Sequence, residues 1–379
     1  MQISSNGIGG GNYADPATWA GGVVPQILNG DTSYIVAGDT VNEIPSGEYC
    51  DQLDGNLGIN YGTIYYVNTS GTITGNGMGG YVITHDGYMY MNDVSAIIDT
   101  VNGWVDSNWG TIYDIQYGGT LTENNSFVGY ISGTVNSNYS EVYQTNSGGV
   151  INTNQSTGTC LNAPNGICLD NYGYCNNVAG NVGTNYSGGI IDNGDNTGSW
   201  GGYYGIVNTN QVGGIIRING GNNSGGNQSI VGDNYGEITE NYGIVNANKT
   251  WTTSGGIIYL NGYNGVTPSA WVEINEQYAV VHRNQFGSTV NYNYGEVHNQ
   301  DGYVTYPQSG SYNYFSSMDA LSITDPNSGA IYGIAPDSFS DPLVSNVALA
   351  VTYQFDEETL TGTRKIGGGI NGSGILGMI

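Results

Sequence analysis

The sequence is poor in positive charge. Five of its 379 residues are lysine or arginine, against 31 aspartates and glutamates, so the formal net charge is −26. So few cations cannot form a basic groove for a phosphate backbone, and an anionic membrane surface repels so acidic a chain. We therefore expect neither nucleic acid nor membrane as a partner.

Charged residues and proline are scarce as well. Charged residues make up 9% of the chain, compared with about 25% in ordinary domains. Their place is taken by 64 glycines, 32 tyrosines and many asparagines and threonines. Gly, Asn, Thr and Tyr are poor helix formers, whereas Tyr, Thr, Val and Ile suit a pleated surface. We predict a chain of strands and turns.

Cysteine and histidine are also few. The cysteines form no C-x-x-C pair and match no zinc-binding spacing; they are Cys50, Cys160, Cys168 and Cys175. We expect them to be buried, reduced core residues, with a disulfide within the 160–175 segment as the alternative. His85 is followed by Asp86, but no G-x-S-x-G sequence accompanies them, so we expect no Ser-His-Asp triad.

Short repeated themes dominate the middle of the chain. Gly62-Thr63-Ile64 is followed nine residues later by Gly71-Thr72-Ile73, and the same step recurs further on at Gly110 and Gly119. A nine-residue step is one short strand plus one turn, and we interpret the distance from Gly62 to Gly110 as two circuits of about 24 residues each. This periodicity predicts about ten stacked coils with inward Ile/Val ladders and amide ladders of stacked asparagines.

The repeats divide the chain into three regions. Residues 1–58 are predicted to form an N-terminal cap and the first coils, residues 59–306 the repeats, and residues 307–379 a small C-terminal β module. The predicted fold is all-β, with a right-handed parallel β-helix (a β-solenoid) from about residue 30 to residue 306. The alternative is a Gly-rich β-sandwich array, which would show stricter alternation over longer strands.

Two segments carry a resemblance to known proteins. Asp15-Pro16-Ala17-Thr18-Trp19, followed by Gly38-Asp39-Thr40-Val41, resembles the first turns of right-handed β-helix proteins from bacterial surfaces and phage tails. The resemblance implies that Trp19 caps the open end of the coil stack. The glycine-rich stretch from Gly367 to Ile379 is similar to the ends of phage virion proteins.

Together with the poor repertoire of catalytic residue patterns, these resemblances favour a non-enzymatic structural or adhesive protein of a virion surface, as a tail fibre, spike or capsid decoration. Met1-Gln2-Ile3 has neither the basic start nor the apolar run of an export signal. This fits a particle assembled in the host cytoplasm that becomes extracellular by lysis. The alternatives are a glycan depolymerase on the same scaffold and a bacterial surface adhesin or filament subunit. No cofactor is expected.

A host surface glycan is the expected ligand, because tyrosine and asparagine combine ring stacking with amide hydrogen bonds. The candidate contact residues are Trp271, Tyr278, Tyr235 and Tyr242. The first two flank the candidates for the enzyme alternative, Glu273 and Glu276, since glycan cleavage needs a pair of carboxyl groups.

Two further groups of residues complete the candidates. Asp192 and Asp195 lie in an oxygen-rich, Gly-bent stretch typical of a calcium loop, although an ordinary turn has the same composition. The C-terminal tail is more apolar than a solvated tail, at Ile370, Ile375, Leu376, Met378 and Ile379. We expect residues 307–379 to join the chain into a homo-oligomer, with a trimer as the leading arrangement, and to other virion proteins. The alternative is a tail that folds back as a cap.

Overall fold

The computed structural model describes most of the chain in two units, residues 1–176 and 177–379. The described residues are 2–7, 11–25, 31–162, 166–193, 205–220, 229–251, 254–262, 270–285, 288–300, 303–315, 331–334, 352–355 and 358–361.

Unit 1 is a stack of turns, and each turn adds one short strand to each of two parallel sheets. Sheet I contains β1 (Gln2–Ser4), β2 (Thr32–Ile35), β4 (Tyr49–Leu53), β6 (Thr63–Val67), β8 (Tyr81–His85), β10 (Ile97–Val101), β12 (Thr111–Ile115), β14 (Phe127–Ile131), β16 (Glu141–Thr145), β18 (Thr159–Asn162) and β20 (Tyr174–Val178). Sheet II contains β3 (Thr40–Ile44), β5 (Asn56–Asn60), β7 (Thr72–Asn76), β9 (Tyr88–Asn92), β11 (Trp104–Asn108), β13 (Thr120–Asn124), β15 (Thr134–Asn138), β17 (Val150–Asn154) and β19 (Ile167–Asn171).

Unit 2 is built in the same way. Its sheet I contains β22 (Ile190–Asn193), β24 (Ile215–Asn219), β26 (Glu237–Asn241), β30 (Ile257–Asn261), β32 (Val280–Val281), β34 (Glu296–Gln300), β36 (Tyr312–Phe315) and β37 (Ile331–Ile334). Its sheet II contains β21 (Asn181–Asn185), β23 (Ile206–Asn210), β25 (Ile230–Asn234), β27 (Ile244–Asn248), β31 (Trp271–Asn275), β33 (Thr289–Asn293) and β35 (Tyr303–Pro307). Two antiparallel hairpins accompany them, β28 (Thr250–Trp251) with β29 (Ser254–Gly255) and β38 (Thr352–Phe355) with β39 (Glu358–Thr361).

The predicted parallel β-solenoid is confirmed, but the predicted length of its circuit is wrong. Tyr49 pairs with Thr63, and Thr63 with Tyr81, so each turn is shorter than expected. The nine-residue step is one strand and one corner, as predicted. However, a turn contains two strands, so the distance from Gly62 to Gly110 is three turns rather than two. The two stacks together make about 15 turns rather than ten.

The second and fifth residues of each strand point into the core. The second position is apolar almost throughout and fully buried, as Ile64, Val82 and Ile98 illustrate in sheet I. These residues are in register from turn to turn. The predicted Ile/Val ladders are therefore confirmed.

In unit 1 the fifth residue of every sheet II strand from β5 onwards is a buried asparagine. In unit 1 each side-chain amide donates to the side-chain oxygen of the next turn over 2.8–3.0 Å, through Asn60, Asn76, Asn92, Asn108, Asn124, Asn138, Asn154 and Asn171. All are 0% exposed. The chain turns its corner at Gly62 and Gly110, where a Cβ would lie 2.2 and 2.3 Å from carbonyl oxygens of the preceding turn. The predicted amide ladder is confirmed.

Unit 2 has two such ladders. The ladder of sheet II runs through Asn185, Asn210, Asn234, Asn248, Asn275 and Asn293, and Asn293 donates to Asn313 on β36 of sheet I. The ladder of sheet I runs through Asn193, Asn219, Asn241, Asn261 and Asn284. In unit 1 the corresponding positions of sheet I are mostly apolar, including Leu53, Val67 and Val101.

His85 interrupts that apolar row of unit 1. It is 0% exposed and lies in register between Val67 and Val101. Its Nε2 is 3.2 Å from the carbonyl oxygen of Trp104, whereas its Nδ1 has no hydrogen-bond partner among the described residues. Burial lowers the pKa of His85 from 6.5 to about 4, so the ring is neutral near pH 7.

Trp19 is buried near the first turns. Its ring is 1% exposed and packs edge-on against buried Tyr13, with ring centroids 5.0 Å apart. A short 3-10 helix, Pro16–Thr18, leads into it. Three points stay predictions: the capping role of Trp19, the handedness of the solenoid and the joining role of residues 307–379. Among the described residues, no helix is long and apolar enough to cross a membrane.

The asparagine ladder yields a prediction about stability. Asn108→Ala removes the acceptor of the Asn92 amide and the donor to both Asn124 and the Phe127 carbonyl. Each orphaned buried group costs about 1–3 kcal/mol, so we expect roughly 3 kcal/mol or more of lost stability in denaturant unfolding. Asn152→Ala is the control, because Asn152 donates to Asn136 on the outer face. An equal loss in both variants would contradict the account.

His85 yields a prediction about pH. The unfolded chain binds a proton to His85 below pH 6.5, whereas the folded chain does so only below about pH 4. The stability is therefore complete above pH 6.5 and falls by up to about 3 kcal/mol as the pH drops to 4. His85→Asn should flatten this dependence while keeping a donor for the Trp104 carbonyl. Chemical unfolding at several pH values measures the pH dependence of the free energy of unfolding. An equally steep dependence in the variant would contradict the assignment of this effect to His85.

Candidate ligand-binding surface

The first, third and fourth residues of each strand face outwards, and tyrosine is frequent there. In unit 1 the exposed tyrosines of sheet I include Tyr65, Tyr113, Tyr130 and Tyr143. Tyr130 and Tyr143 contact each other edge to face, with ring centroids 5.6 Å apart. Because successive turns are in register, outward side chains of neighbouring turns lie side by side, as the Tyr130 and Tyr143 rings do.

A cleft opens on this surface near the first turns of unit 1. It has a volume of about 390 Å³ and is lined by Asp31, Thr32, Gly47, Glu48, Tyr49, Asp51, Thr63 and Tyr65. Aromatic rings, carboxylates and hydroxyls thus line one concave site. None of these residues was a predicted site residue.

Hydrogen bonds order the cleft. The Tyr49 hydroxyl donates to the carbonyl oxygen of Asp31, and the Tyr49 and Tyr65 rings meet edge to face at 6.0 Å. Burial, followed by the neighbouring carboxylates of Asp51 and Asp31, raises the pKa of Tyr49, so its hydroxyl remains a donor. The Asp51 carboxylate accepts a hydrogen bond from the Ser33 amide at 2.6 Å. Tyr65 is 49% exposed, so its ring is available to a ligand.

Further tyrosine hydroxyls of unit 1 are tied to aspartates of the following turn. These pairs are Tyr34 with Asp54, Tyr66 with Asp86, Tyr81 with Asp99, and Tyr88 with Asp106. Burial, with the hydrogen bond to Asp99, raises the pKa of Tyr81 to about 12. The pairs link one turn to the next and hold the rings in fixed orientations.

The charge of unit 1 narrows its possible ligands. Residues 1–176 contain no lysine or arginine, whereas the cleft itself has carboxylates at Asp31, Glu48 and Asp51. Such a surface repels phosphate, sulfate and uronate groups. Its carboxylates can accept hydrogen bonds from sugar hydroxyls. The charge of unit 1 therefore disfavours anionic ligands relative to neutral ones.

The predicted glycan contacts lie in unit 2 and are only partly brought together. Trp271 Nε1 donates to Glu273 at 2.7 Å, and Asn291 donates to the other Glu273 oxygen at 3.0 Å. Tyr278 follows β31 at a corner, is 58% exposed and has a φ of 66°. Trp271, Glu273 and Tyr278 therefore belong to one strand and its corner.

Tyr235 and Tyr242 lie elsewhere. Tyr235 follows β25 of sheet II, where the Lys249 ammonium lies 5.9 Å from its ring centroid. Tyr242 follows β26 of sheet I, and its hydroxyl donates to Glu240 at 2.5 Å. The four aromatic candidates are thus divided between strands of the two sheets.

The two candidate catalytic carboxylates have separate partners. Both Glu273 oxygens accept hydrogen bonds, from Trp271 and Asn291, whereas Glu276 accepts one from the Thr250 backbone amide at 3.2 Å.

The remaining candidates are less informative about ligands. Asp192 is 8% exposed, and Arg217 binds both of its carboxylate oxygens, with Nε 2.9 Å from Oδ1. This ion pair gives Asp192 a structural role within unit 2. Asp195 and the tail residues Ile370, Ile375, Leu376, Met378 and Ile379 lie outside the described residues.

The cysteines are free and buried, as predicted, but three of them form an unforeseen cluster. The sulfur atoms of Cys160, Cys168 and Cys175 all lie within 4.8 Å of one another. The known zinc-binding sequence patterns did not indicate this cluster, because those patterns describe ligands within short loops and not on separate strands. The sequence does contain a signal for the cluster: the separation of Cys160 and Cys175 equals the length of one turn, so the two residues lie side by side.

No protein-family model matches this chain. No curated protein matches it either. The fold, the side chains described above and the resemblances of the chain ends are therefore the grounds for inferring a function.

Proposed function

We propose that this chain is a non-catalytic structural and adhesive component of a virion surface, and that its tyrosine-lined outer face binds a neutral glycan. The observation that carries the adhesive part is the cleft around Tyr49, Tyr65 and Asp51. The virion part is supported by the resemblance of the two chain ends to phage and surface β-helix proteins.

The cleft has the chemistry that neutral sugars require. An exposed ring such as Tyr65 packs against the C–H face of a pyranose, and carboxylates such as Asp51 and Glu48 accept hydrogen bonds from its hydroxyls. The Tyr49 hydroxyl and the Asp51 carboxylate are already held by neighbouring groups. A preorganised site loses less conformational entropy on binding.

The scaffold suits an adhesive role. In-register strands, buried amide ladders and tyrosine–aspartate pairs restrain each turn through its neighbours. The same outward position recurs in every turn. Several weak contacts with one glycan can therefore be made side by side along the surface. Linked weak contacts raise the overall avidity without any single tight site.

Glycan binding can be tested with the purified chain and neutral hexose and N-acetylhexosamine oligosaccharides, on an array and then by calorimetry. Tyr65→Ala should raise the Kd about two- to tenfold, because an aromatic stacking contact contributes about 0.5–1.5 kcal/mol. Tyr117→Ala is the matched control, since Tyr117 is 89% exposed and does not line the cleft. Equal binding by the native chain and both variants would refute the cleft as the site.

The non-catalytic part has a separate test. The chain is incubated with host capsule, and reducing or unsaturated ends are measured. We expect no release above background. Cleavage that Glu273→Gln abolishes would reverse this part of the proposal and favour the depolymerase.

A further inference from the structure

In the last turns of unit 1 the second residue of each strand, which points into the core, is cysteine instead of an aliphatic residue. Elsewhere in unit 1 it is mostly valine, isoleucine or leucine, but here it is Cys160 on β18, Cys168 on β19 and Cys175 on β20. Cys160 and Cys175 are register partners on adjacent strands of sheet I, whereas Cys168 faces them from sheet II. All three are at most 3% exposed.

The three sulfur atoms converge. Cys160 Sγ lies 2.9 Å and Cys168 Sγ 3.9 Å from Cys175 Sγ, and all three are within 4.8 Å of one another. Three thiolates that each bind one zinc-like ion at about 2.3 Å have their sulfur atoms about 4 Å apart. The Cys168–Cys175 edge of the triangle has this length, whereas the Cys160–Cys175 edge is about 1 Å shorter and must lengthen when an ion binds.

Polar groups at the edge of the triangle complete the environment. Asn171 Oδ1 lies 3.3 Å from Cys175 Sγ, and Asn154 Nδ2 lies 3.8 Å from the same sulfur. The Asn171 oxygen also accepts the ladder hydrogen bond from Asn154, so the protein supplies three sulfur ligands with this oxygen beside them. The amide N–H group partly compensates negative charge on the sulfur.

We propose that Cys160, Cys168 and Cys175 form a structural site for one thiophilic divalent ion of the zinc group. The ion displaces three thiol protons, so three metal–sulfur bonds replace three S–H bonds without oxidation or reduction. Two positive and three negative charges leave one net negative charge in the core. Burial from solvent gives the site a structural role rather than a catalytic one.

The position of the site explains what the ion stabilises. The pairing of β16 with β18 shifts register between Val142 and Thr145, and the side-chain oxygen of buried Thr145 has no hydrogen-bond partner among the described residues. The ladder is thus irregular beside the cluster. An ion bound to β18, β19 and β20 would link both sheets across this turn.

The test uses the full chain, produced in zinc-supplemented medium and purified without chelator. We expect one zinc ion per chain by mass spectrometry, and sulfur ligands at about 2.3 Å by X-ray absorption. Replacement by cadmium should produce a thiolate charge-transfer band in the ultraviolet.

The matched variants are Cys168→Val and Cys50→Val, because valine is a normal ladder residue and Cys50 is buried away from the cluster. Cys168→Val should reduce the bound zinc to about a tenth or less, whereas Cys50→Val should keep it. Circular dichroism verifies that each variant folds.

Three results would overturn the proposal. The first is a native chain with four titratable thiols that binds neither zinc nor cadmium. The second is a Cys160–Cys175 disulfide found by peptide mapping after alkylation without reductant. The third is equal metal loss in Cys50→Val. The first two need no variant and remain decisive if Cys168→Val does not fold.

Discussion

In-register stacking of short, two-stranded turns is the constraint on which the rest of the structure depends. A parallel strand pair places each residue beside the equivalent residue of the next turn, about 4.8 Å away. A buried asparagine can then donate to the asparagine of one neighbouring turn and accept from the other, as Asn92 and Asn108 do. A buried amide without such neighbours would be costly, so the ladder stabilises one register and opposes a slip.

The same constraint separates the interior from the surface. Two positions of each strand supply the core, whereas three outward positions and the corners can vary without disturbing it. Unit 1 uses this freedom for tyrosines and aspartates without any lysine or arginine. The resulting face is acidic, hydroxyl-rich and aromatic, and it repels anionic sugars.

Much of the fold could be predicted from the sequence, because strand and corner residues are local. The nine-residue step from Thr63 to Thr72 identified one strand and one corner. The length of a turn was missed because the distance from Gly62 to Gly110 divides equally well into two or three circuits. The decisive signal was the even spacing of the ladder asparagines Asn60, Asn76, Asn92, Asn108 and Asn124, each one turn from the next.

The sites were harder to predict than the fold, since they depend on the length of a turn. Trp271 and Glu273 lie two residues apart on one strand, so their contact was accessible to local reasoning. Tyr49 and Tyr65 meet across one turn, and Cys168 meets Cys160 and Cys175 across the core. Such neighbours follow from the sequence once the number of strands in a turn is known.

The most direct test of this account is hydrogen exchange at the side-chain amides of the ladder asparagines, measured by NMR on the full chain. Surface asparagine amides exchange rapidly, whereas a fully buried and hydrogen-bonded amide exchanges only when the structure opens. The account predicts strong protection for Asn76, Asn92 and Asn108 and little for exposed asparagines such as Asn56. Equally fast exchange at all of them would contradict the buried ladder and, with it, the two-stranded turn.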